Sequence, residues 1–267
     1  MATLLKGKPV VDHMAVDLRN RIESLKGRGI EPTLALVRMG ERPDDLSYER
    51  TAKKRAASLG LSTKPYVLDD LHGCLMFRPL PSFLDEKALC NMLAPEKDID
   101  GISLASLASV FTDSSDGFPP CTAQACVELL RYYGVKMAGK HAVVIGRSEV
   151  VGRPAAMLLL REDAAVTVCH SRTPDTAALT RQADIIITAA GVRSSLTAAH
   201  VRPGQTVVDV SVNGDGSALC GDADFAAVEP VVDAITPVPG GVGAVTSSVL
   251  MAHTVRAAEL LTGEGRL

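Results

Sequence analysis

A glycine turn between two apolar segments is the part of this sequence best suited to ligand chemistry. Ala142–Ile145 is a short apolar segment, and the turn GRSEVVG follows it, from Gly146 to Gly152. Glycine at both ends permits a tight turn and a close approach by a ligand or a helix. A helix beginning at about Gly152 or Pro154 would direct unpaired N–H groups and its dipole at the turn, and this arrangement favours a pyrophosphate.

Side chains after the next apolar segment indicate which dinucleotide the turn would bind. Val166–Cys169 predicts the second strand of a βαβ unit, and His170-Ser171-Arg172-Thr173 follows it. Dinucleotide-binding folds place the residue that reads the adenosine ribose here, and an acidic residue would favour NAD. This sequence instead offers a hydroxyl and guanidinium groups, which can bind a 2′-phosphate and therefore favour NADP. A tight turn that binds no nucleotide remains the alternative, because a glycine-rich turn alone is a weak signal.

Composition and charge exclude several classes of protein. The net charge of the 267 residues is −3 and no basic run stands out, so we expect neither nucleic acid nor an anionic membrane as a partner. No apolar run approaches the roughly 20 residues of a membrane span, and the N-terminus MATLLKGKPV lacks a signal-peptide core. The six cysteines form no C-x-x-C pair and no zinc-type spacing with histidine. We therefore expect no metal site, and reduced thiols in a cytoplasmic protein.

The alternation of helical and strand-like segments predicts an α/β fold. Besides the helix of the βαβ unit, the pattern predicts helices at Val10–Leu25, Asp45–Leu59, around Leu84–Leu93, Cys121–Tyr133 with Thr122 as a candidate N-cap, and Thr246–Leu261. Apolar runs predict strands at Pro32–Met39, Ala183–Ala190 and Gln205–Val210. The sequence Asn213-Gly214-Asp215-Gly216 predicts a hairpin turn, and Pro237–Gly243 predicts a loop.

Two further candidate strands are close together in the sequence. They are Thr63–Leu68 and Cys74–Arg78, and only Asp69–Gly73 lies between them. A parallel crossover needs a dozen or more residues. The two segments are therefore predicted to form a hairpin, or else they are not both strands.

Five short motifs occur in an order that resembles a known enzyme family. They are KDIDG at 97–101, PCT at 120–122, HAVVIGRSEVVGRP at 141–154, CHSRT at 169–173 and ITPVPGGVG at 235–243. Together they resemble the methylenetetrahydrofolate dehydrogenase/cyclohydrolase family over nearly the whole chain. The resemblance implies an N-terminal α/β catalytic and substrate domain, residues 1–122 with 246–267, and a Rossmann-type NADP-binding domain, residues 123–245. It also implies a homodimer, with a folate-like substrate bound in the cleft between the domains.

The resemblance assigns roles to individual residues. Catalytic roles fall on Tyr48 and Asp100, and Asp100 would pair with the amino-pyrimidine edge of the pterin. The implied substrate contacts are Tyr48, Phe77, Asp100, Pro237, Gly240 and Gly241. The implied cofactor contacts are Thr122, Gly146, Arg147, Ser148, Val151, Gly152, His170, Ser171, Arg172, Thr173, Ala190, Gly191 and Val212. Arg147 and Ser171 fall on the family positions that hold the 2′-phosphate of NADP.

The sequence departs from the family pattern mainly around Tyr48. The family has a lysine four residues after this tyrosine, where the chain has Ala52. Lys53 cannot substitute, because one helical step turns a side chain by about 100°. The glutamine that supports the lysine is replaced by Phe77.

Other departures lie elsewhere in the chain. The family has about twenty more residues, including a crossover helix, between the two closely spaced candidate strands. It also has glycine at the position of Ser211, and Pro-Met at the position of Ala244-Val245.

These departures predict a change in activity. Hydride transfer mainly requires that the two reactants be held close and aligned, whereas hydrolysis of the methenyl product requires acid–base catalysis by a side chain such as lysine. We therefore expect an NADP-dependent methylenetetrahydrofolate dehydrogenase with weak or absent cyclohydrolase activity. Two alternatives stay open. One is an NADP-dependent oxidoreductase acting on another C–N substrate in specialised metabolism, and the other is a non-catalytic relative that binds nucleotide or a partner.

Overall fold

The computed structural model describes residues 2–37, 43–64, 71–214 and 219–263. The chain divides into two compact units. Unit 1 comprises Met1–Val11 and Thr122–Thr246, and unit 2 comprises Asp12–Cys121 and Ser247–Leu267.

Strands of two to five residues occur in both units. In chain order they are β1 (Thr3–Leu4), β2 (Thr33–Val37), β3 (Ser62–Lys64), β4 (Gly73–Met76), β5 (His141–Ile145), β6 (Ala165–Cys169), β7 (Ile185–Thr188), β8 (Thr206–Asp209), β9 (Asn213–Gly214), β10 (Leu219–Cys220) and β11 (Ala234–Ile235). The α-helices are α1 (Gly7–Gly27), α2 (Pro43–Leu59), α3 (Glu86–Cys90), α4 (Leu104–Thr112), α5 (Cys121–Tyr132), α6 (Gly152–Arg161), α7 (Thr176–Thr180), α8 (Phe225–Val228) and α9 (Val242–Leu261). Single 3₁₀ turns form at Pro95–Lys97 and Ala198–His200.

Unit 1 is built on a parallel sheet of six strands in the order β1-β11-β8-β7-β5-β6. All four residues of β7 and of β8 are buried, as expected of central strands covered on both faces. The core is made of aliphatic side chains such as Val143, Ile186 and Val207, packed with Leu196 and Val228. The expected βαβ unit is confirmed: β5 and β6 pair in parallel, and α6 between them packs on both.

Unit 2 contains a parallel sheet of three strands in the order β3-β2-β4. The expectation for the two closely spaced segments is wrong, because both are strands and they do not pair with each other. Each pairs with β2, on opposite sides of it. The first strand ends at Lys64, so eight residues, 65–72, connect it to β4. Eight residues span up to about 26 Å, enough to return along a three-residue strand and cross two strand spacings of about 4.8 Å.

Most other predicted elements form, with different ends. α3 is shorter than predicted, because Asp85 caps it by accepting the N–H of Ala88. Thr122 is not an N-cap, since it lies inside α5. The predicted hairpin is present as the antiparallel pair β9 and β10, although Asp215 and Gly216 lie outside the described residues.

Other differences are elements that the pattern did not reveal. α4, with Ser103 as its N-cap, was not predicted, and neither were the short helices α7 and α8. The ends of the predicted strands Pro32–Met39 and Thr63–Leu68 also fall outside the described residues. In the described parts of the chain, no helix has both the length and the apolarity needed to cross a bilayer.

Candidate functional site

A cavity of about 420 Å³ lies in unit 1 at the carboxyl ends of β5, β6 and β7. The chain passes from β5 to β6 on one side of β5 and then to β7 on the other. Doubly wound sheets bind their ligands at such a reversal of strand order. The cavity is lined by Ile145, Gly146, Arg147, Ser148, His170, Ser171, Thr176, Ala189, Ala190, Val192, Ser195 and His200.

Close backbone contacts explain both glycines of the turn. Gly146 has a φ of 123°, and a Cβ there would lie 2.3 Å from the carbonyl oxygen of Ala189. A Cβ on Gly152 would lie 2.3 Å from the carbonyl oxygen of Gly146. The turn is therefore packed between the end of β7 and the start of α6 with no room for a side chain at either glycine.

The first turn of α6 differs from the expectation of unpaired N–H groups. The Ser148 hydroxyl accepts the N–H groups of Val151 and Gly152, each at 3.2 Å. The Ser148 carbonyl accepts the N–H of Arg153 at 3.1 Å, and Pro154 has no N–H. An anion at this turn would therefore be attracted by the helix dipole and by side chains, because the amides of the first turn already have partners.

The buried carboxylate of Asp222 fixes the opposite wall of the cavity. It accepts the backbone N–H groups of Ala190 at 2.6 Å, Gly191 at 3.1 Å and Val192 at 2.8 Å. The Ser211 hydroxyl donates to the same carboxylate at 2.8 Å and accepts the N–H of Gly191 at 3.0 Å. Ser211, at a family glycine position, is thus part of the structure that holds residues 190–192.

A second cluster of polar and aromatic side chains lies in unit 2. Tyr48 on α2 and Phe77 after β4 meet edge to face, with ring centroids 5.6 Å apart and planes at 81°. The Tyr48 hydroxyl shares a hydrogen bond with the side chain of Ser247 on α9. Burial, and then the nearby charge of Asp100, raise the pKa of Tyr48, so its phenol is neutral at physiological pH.

Asp100 lies in the turn before α4, and its side chain is 23 % exposed. Burial raises the pKa of its carboxyl to about 6, and the nearby charge of Asp98 also raises it. The Arg78 guanidinium and the Cys121 thiol act in the opposite direction. At neutral pH the carboxyl is therefore ionised and can accept hydrogen bonds from a ligand.

Hydrogen bonds to neighbouring residues position the Asp100 turn. The buried carboxylate of Asp98 accepts the N–H groups of Ile102 and Ser103 at 3.1 and 2.8 Å. Nδ1 of His253 donates to the carbonyl of Ile99 at 2.7 Å. Burial lowers the pKa of His253 to about 4, so the ring is neutral and acts here as a hydrogen-bond donor.

The lysine position of the family is closed in this structure. The side chain of Ala52 is 0 % exposed, and it offers no group for proton transfer. Lys53, one residue on, forms an ion pair with Glu49 and is about half exposed. The expectation that Lys53 does not replace the lysine agrees with this position.

The loop at 236–241 is tied to the start of α1 in unit 1. The N–H of Gly7 donates to the carbonyl of Gly240 at 2.7 Å. A Cβ on Gly241 would lie 2.5 Å from the carbonyl oxygen of Pro237. The close approach of Gly241 to Pro237 and the positive φ of Gly240, 99°, explain these two glycines without a ligand. Substrate contact by Pro237, Gly240 and Gly241 stays a prediction.

Comparison with known proteins identifies the family. The model of the tetrahydrofolate dehydrogenase/cyclohydrolase NAD(P)-binding domain matches residues 120–262. The bifunctional protein FolD of Carboxydothermus hydrogenoformans is 47% identical over 285 residues, covering 98% of this chain and 99% of that protein. The chain belongs to the tetrahydrofolate dehydrogenase/cyclohydrolase family. It is thus an oxidoreductase with a Rossmann-type NAD(P)-binding domain, and the expected fold and enzyme class are confirmed.

Solved structures of family members have the same fold. The FolD methylenetetrahydrofolate dehydrogenase/cyclohydrolase of Campylobacter jejuni superimposes with a TM-score of 0.94 at 34% identity, covering 98% of this chain and 100% of that one. The Trypanosoma brucei enzyme, solved with NADP and an inhibitor, has a TM-score of 0.90 at 32% identity, with 98% of each chain covered. The alignment to the Carboxydothermus protein is longer than the 267 residues of this chain. That family member therefore has residues with no counterpart here.

The residues expected to bind the family's cofactor fall into three groups. Six line the cavity, and they are Gly146, Arg147, Ser148, His170, Ser171 and Ala190. Five others lie close to lining residues: Arg172, Thr173 and Gly191 are within two residues of one in sequence, and Val151 and Gly152 donate their N–H groups to Ser148. Thr122, inside α5, and Val212, which is 61 % exposed, are not among the lining residues.

Hydrogen bonds shape the loop after β6, next to the cavity. His170 donates its N–H to the Thr173 hydroxyl at 2.9 Å and accepts the N–H of Arg172 on Nδ1 at 3.1 Å. His170 and Thr173 thereby hold the loop that carries Ser171.

Sequence reasoning missed several residues of both sites. The missed cavity residues are Ile145, Thr176, Ala189, Val192, Ser195 and His200. Asp222 and Ser247 were also missed, because each acts on residues far away in the sequence. The residues beside Asp222, Gly221 and Ala223, form no motif that would mark it as functional. Among the described residues, no group of histidine, cysteine, aspartate and glutamate side chains is arranged to hold a metal ion.

Proposed function

We propose that this protein is an NADP-dependent methylenetetrahydrofolate dehydrogenase whose cyclohydrolase activity is weak or lost. It takes a hydride from the methylene carbon of methylenetetrahydrofolate and releases methenyltetrahydrofolate. Family membership and the NADP bound to the Trypanosoma brucei enzyme support this assignment. Unit 1 would be the cofactor domain and unit 2, with Tyr48, Phe77 and Asp100, the catalytic and substrate domain. These units differ from the expected domains in that residues 1–11, 122 and 246 belong to unit 1.

The lining of the unit 1 cavity suits NADP. Its volume of about 420 Å³ accommodates part of a dinucleotide, and the two glycines leave the backbone of the turn bare. Arg147 and Ser171, on the lining, would hold the 2′-phosphate through a guanidinium and a hydroxyl. Among the described residues, no acidic side chain lines the cavity to bind a free ribose 2′-hydroxyl, which favours NADP over NAD. When bound, NADP supplies the hydride acceptor.

The side chains of unit 2 suit binding better than proton transfer. Asp100, ionised above about pH 6, would accept hydrogen bonds from the pterin beside the partly exposed Tyr48, whose ring packs on the buried Phe77. Hydride transfer needs alignment of two ligands and no protein base. Hydrolysis of the methenyl product needs a group that activates water and delivers a proton. Burial raises the pKa of Tyr48, so its phenol keeps its proton at neutral pH and cannot act as the base.

The fully buried Ala52 is the observation that carries the proposed loss of cyclohydrolase activity. An alanine at this position cannot exchange a proton, and Phe77 packs on Tyr48 where the family has a polar partner for the lysine. Positioned general acid–base groups contribute typically about 10²–10⁴-fold to rate. We expect a cyclohydrolase deficit in that range relative to bifunctional relatives, with dehydrogenase turnover retained.

The first experiment follows methenyltetrahydrofolate in time after purified enzyme, methylenetetrahydrofolate and NADP are mixed. We expect the methenyl product to accumulate and then to decay at the rate of the enzyme-free solution. Decay well above that background would contradict the proposed loss of cyclohydrolase. Absence of turnover, with NADPH still bound in a titration, would direct attention to a different C–N substrate.

A gain-of-function variant sharpens the test. The double variant Ala52→Lys with Phe77→Gln restores the family pair. We expect accelerated methenyl hydrolysis in this double variant and less in either single variant. The matched control is Lys53→Ala, which removes an ammonium from the same helix on its exposed side and should leave both steps unchanged.

The quaternary state and the cellular location complete the proposal. The protein acts as a homodimer in the cytoplasm, on a folate-like small molecule and without nucleic acid or membrane partners. The six cysteines, all free and five of them buried, support a reducing compartment. Light scattering of the purified protein tests the dimer, since a single monomeric species would contradict it.

A further inference from the structure

Arg78 forms a partly exposed ion pair with Asp100 in unit 2. Nη2 of Arg78 lies 3.7 Å from Oδ2 of Asp100, and the two side chains are 27 % and 23 % exposed. This separation is longer than a hydrogen bond, so the pair leaves hydrogen-bonding capacity on both groups. Both charges therefore reach the surface of unit 2 beside each other, with donors on one side and acceptors on the other.

The guanidinium of Arg78 has donors to spare. Its Nε is enclosed by the protein and has no hydrogen-bond partner in the part of the chain that the structure describes. Enclosing a donor without an acceptor is unfavourable. The guanidinium therefore lies beside Asp100 without a full set of hydrogen bonds of its own.

Aromatic rings lie next to this pair. Phe77 precedes Arg78 directly and contacts the ring of Tyr48. The charge of Asp100 acts on the Tyr48 hydroxyl, so the carboxylate and the phenol are near each other. The partly exposed Tyr48 ring, close to a carboxylate and a guanidinium, is complementary to a flat heterocycle whose edge carries donors followed by an acceptor.

A 2-amino-4-oxopyrimidine has this edge. Its 2-amino group and N3–H donate side by side, as a carboxylate requires, and its 4-oxo group next to them accepts from a guanidinium. We propose that Asp100 and Arg78 together read this edge of the pterin, with Arg78 donating to the 4-oxo group. The inference rests on the proposed function, because it assigns a contact to the same substrate.

Arg78, paired with Asp100, cannot take over proton transfer from the lysine of the family. The Arg78 charge favours the ionised Asp100 carboxylate, against the effect of burial, and so favours the form that accepts both pterin donors. A guanidinium keeps its proton in proteins, so it cannot deliver one to an opening ring. Arg78 is therefore a specificity-determining residue, and its presence does not restore acid–base catalysis of hydrolysis.

The test compares two ligands that differ at one position. Tetrahydrofolate carries a 4-oxo group, and tetrahydroaminopterin carries a 4-amino group in its place. Titration gives the dissociation constant of each for the wild type, Arg78→Leu, Arg78→Lys and the control Arg131→Leu, which removes an arginine paired with Glu128 and Glu162 in unit 1. We expect Arg78→Leu to lose at least about tenfold of the preference for the 4-oxo ligand, Arg78→Lys to regain part of it, and Arg131→Leu to keep it.

The ratio of the two constants separates recognition from structure. The 4-amino ligand also lacks N3–H, so the titrations are run at pH 8, well above the pKa of about 6 of the Asp100 carboxyl, to keep this carboxylate the same acceptor in wild type and variant. An unchanged ratio in Arg78→Leu, or an equal weakening of both ligands, would overturn the role of Arg78 while leaving the proposed function in place. If the wild type bound neither ligand and did not turn over methylenetetrahydrofolate, yet bound NADPH, the proposed function itself would fail, and this inference with it.

Discussion

The carboxylate of Asp222 accepts a hydrogen bond from the N–H of Ala190 at 2.6 Å, across 32 residues of sequence. Ala190 lines the cofactor cavity, whereas Asp222 lies behind it and is fully buried. The same carboxylate accepts the next two backbone N–H groups, so one side chain fixes three consecutive residues of the wall. Under the proposed function, Asp222 would act as a positioning residue for the nucleotide, through the loop and without contact of its own.

Replacing Asp222 by asparagine should disturb cofactor binding selectively. An amide has one oxygen and turns its NH₂ group towards backbone donors, so we expect a loss of about 2–4 kcal/mol in the free energy of unfolding. The KM for NADP should rise by at least about tenfold, equal to about 1.4 kcal/mol, while the KM for methylenetetrahydrofolate stays within about twofold. Asp224→Asn, at the N-cap of α8, is the control. An equal rise of the NADP KM in that control would refute the positioning role.

Adding one methyl group at Gly152 should damage the turn. In Gly152→Ala the Cβ meets the carbonyl of Gly146 at 2.3 Å, and a backbone atom cannot move aside without distorting the turn. We expect a loss of about 1–3 kcal/mol in stability and weaker NADPH binding. Gly243→Ala, in the first turn of α9 with no atom within 4 Å of the new Cβ, should range from neutral to about 1 kcal/mol more stable. Chemical denaturation measures the free energy of unfolding of both variants. Equal stability of Gly152→Ala and Gly243→Ala would show that the turn can accommodate a Cβ and would contradict this prediction.

Cofactor preference should depend on Arg147 and Ser171. Arg147→Ala removes a charged donor, and each such hydrogen bond contributes about 1.5–3 kcal/mol, so the KM for NADP should rise roughly ten- to hundredfold with little change for NAD. Ser171→Asp should repel the 2′-phosphate and favour NAD. Arg153→Ala is the control, since Arg153 is exposed and paired with Glu149. Parallel steady-state measurements with both dinucleotides test this, and a rise of both KM values together would contradict 2′-phosphate binding.

Substrate binding and stability should respond to pH in opposite directions at Asp100. Its pKa is raised to about 6 by burial and the charge of Asp98, with Arg78 and Cys121 opposing and the neutral Tyr48 nearby. The carboxylate that is proposed to bind the pterin therefore forms as the pH rises through about 6, and the KM for methylenetetrahydrofolate should increase below that pH.

The raised pKa of Asp100 also predicts a stability change. A raised acid pKa stabilises the fold at low pH, and this contribution is lost as the pH rises from about 4 to about 6. Asp100→Asn should therefore be more stable than the wild type at pH 8, by up to roughly 3 kcal/mol. At pH 4 this gain in stability should be smaller. The variant should also lose affinity for folate. The control is Asp85→Asn, whose carboxylate caps a surface helix. Unfolding curves at the two pH values decide, and a stability difference independent of pH would contradict the raised pKa.

Local pattern was sufficient where the interaction partners are close in sequence. The turn from Gly146 to Gly152 and the two strands beside it form one βαβ unit within thirty residues, so their apolar spacing and glycines already specified it. Arg147, Ser148, His170 and Ser171 lie at the ends of those strands and therefore line one cavity, as expected. The hydroxyl and guanidinium chemistry that favours NADP belongs to the residue types themselves.

Only the tertiary structure decided the features that depend on distant partners. Strands β3 and β4 lie on either side of β2, which no local spacing indicated, because the pairing is decided by a strand earlier in the chain. Likewise Tyr48, Asp100 and Ser247 meet from three separate segments. The sequence by itself determined the nucleotide-binding unit and the missing lysine. The structure decided that Ala52 is closed off, that Asp222 holds the cavity wall and that Arg78 pairs with Asp100, because these contacts form only when the chain packs segments far apart in sequence.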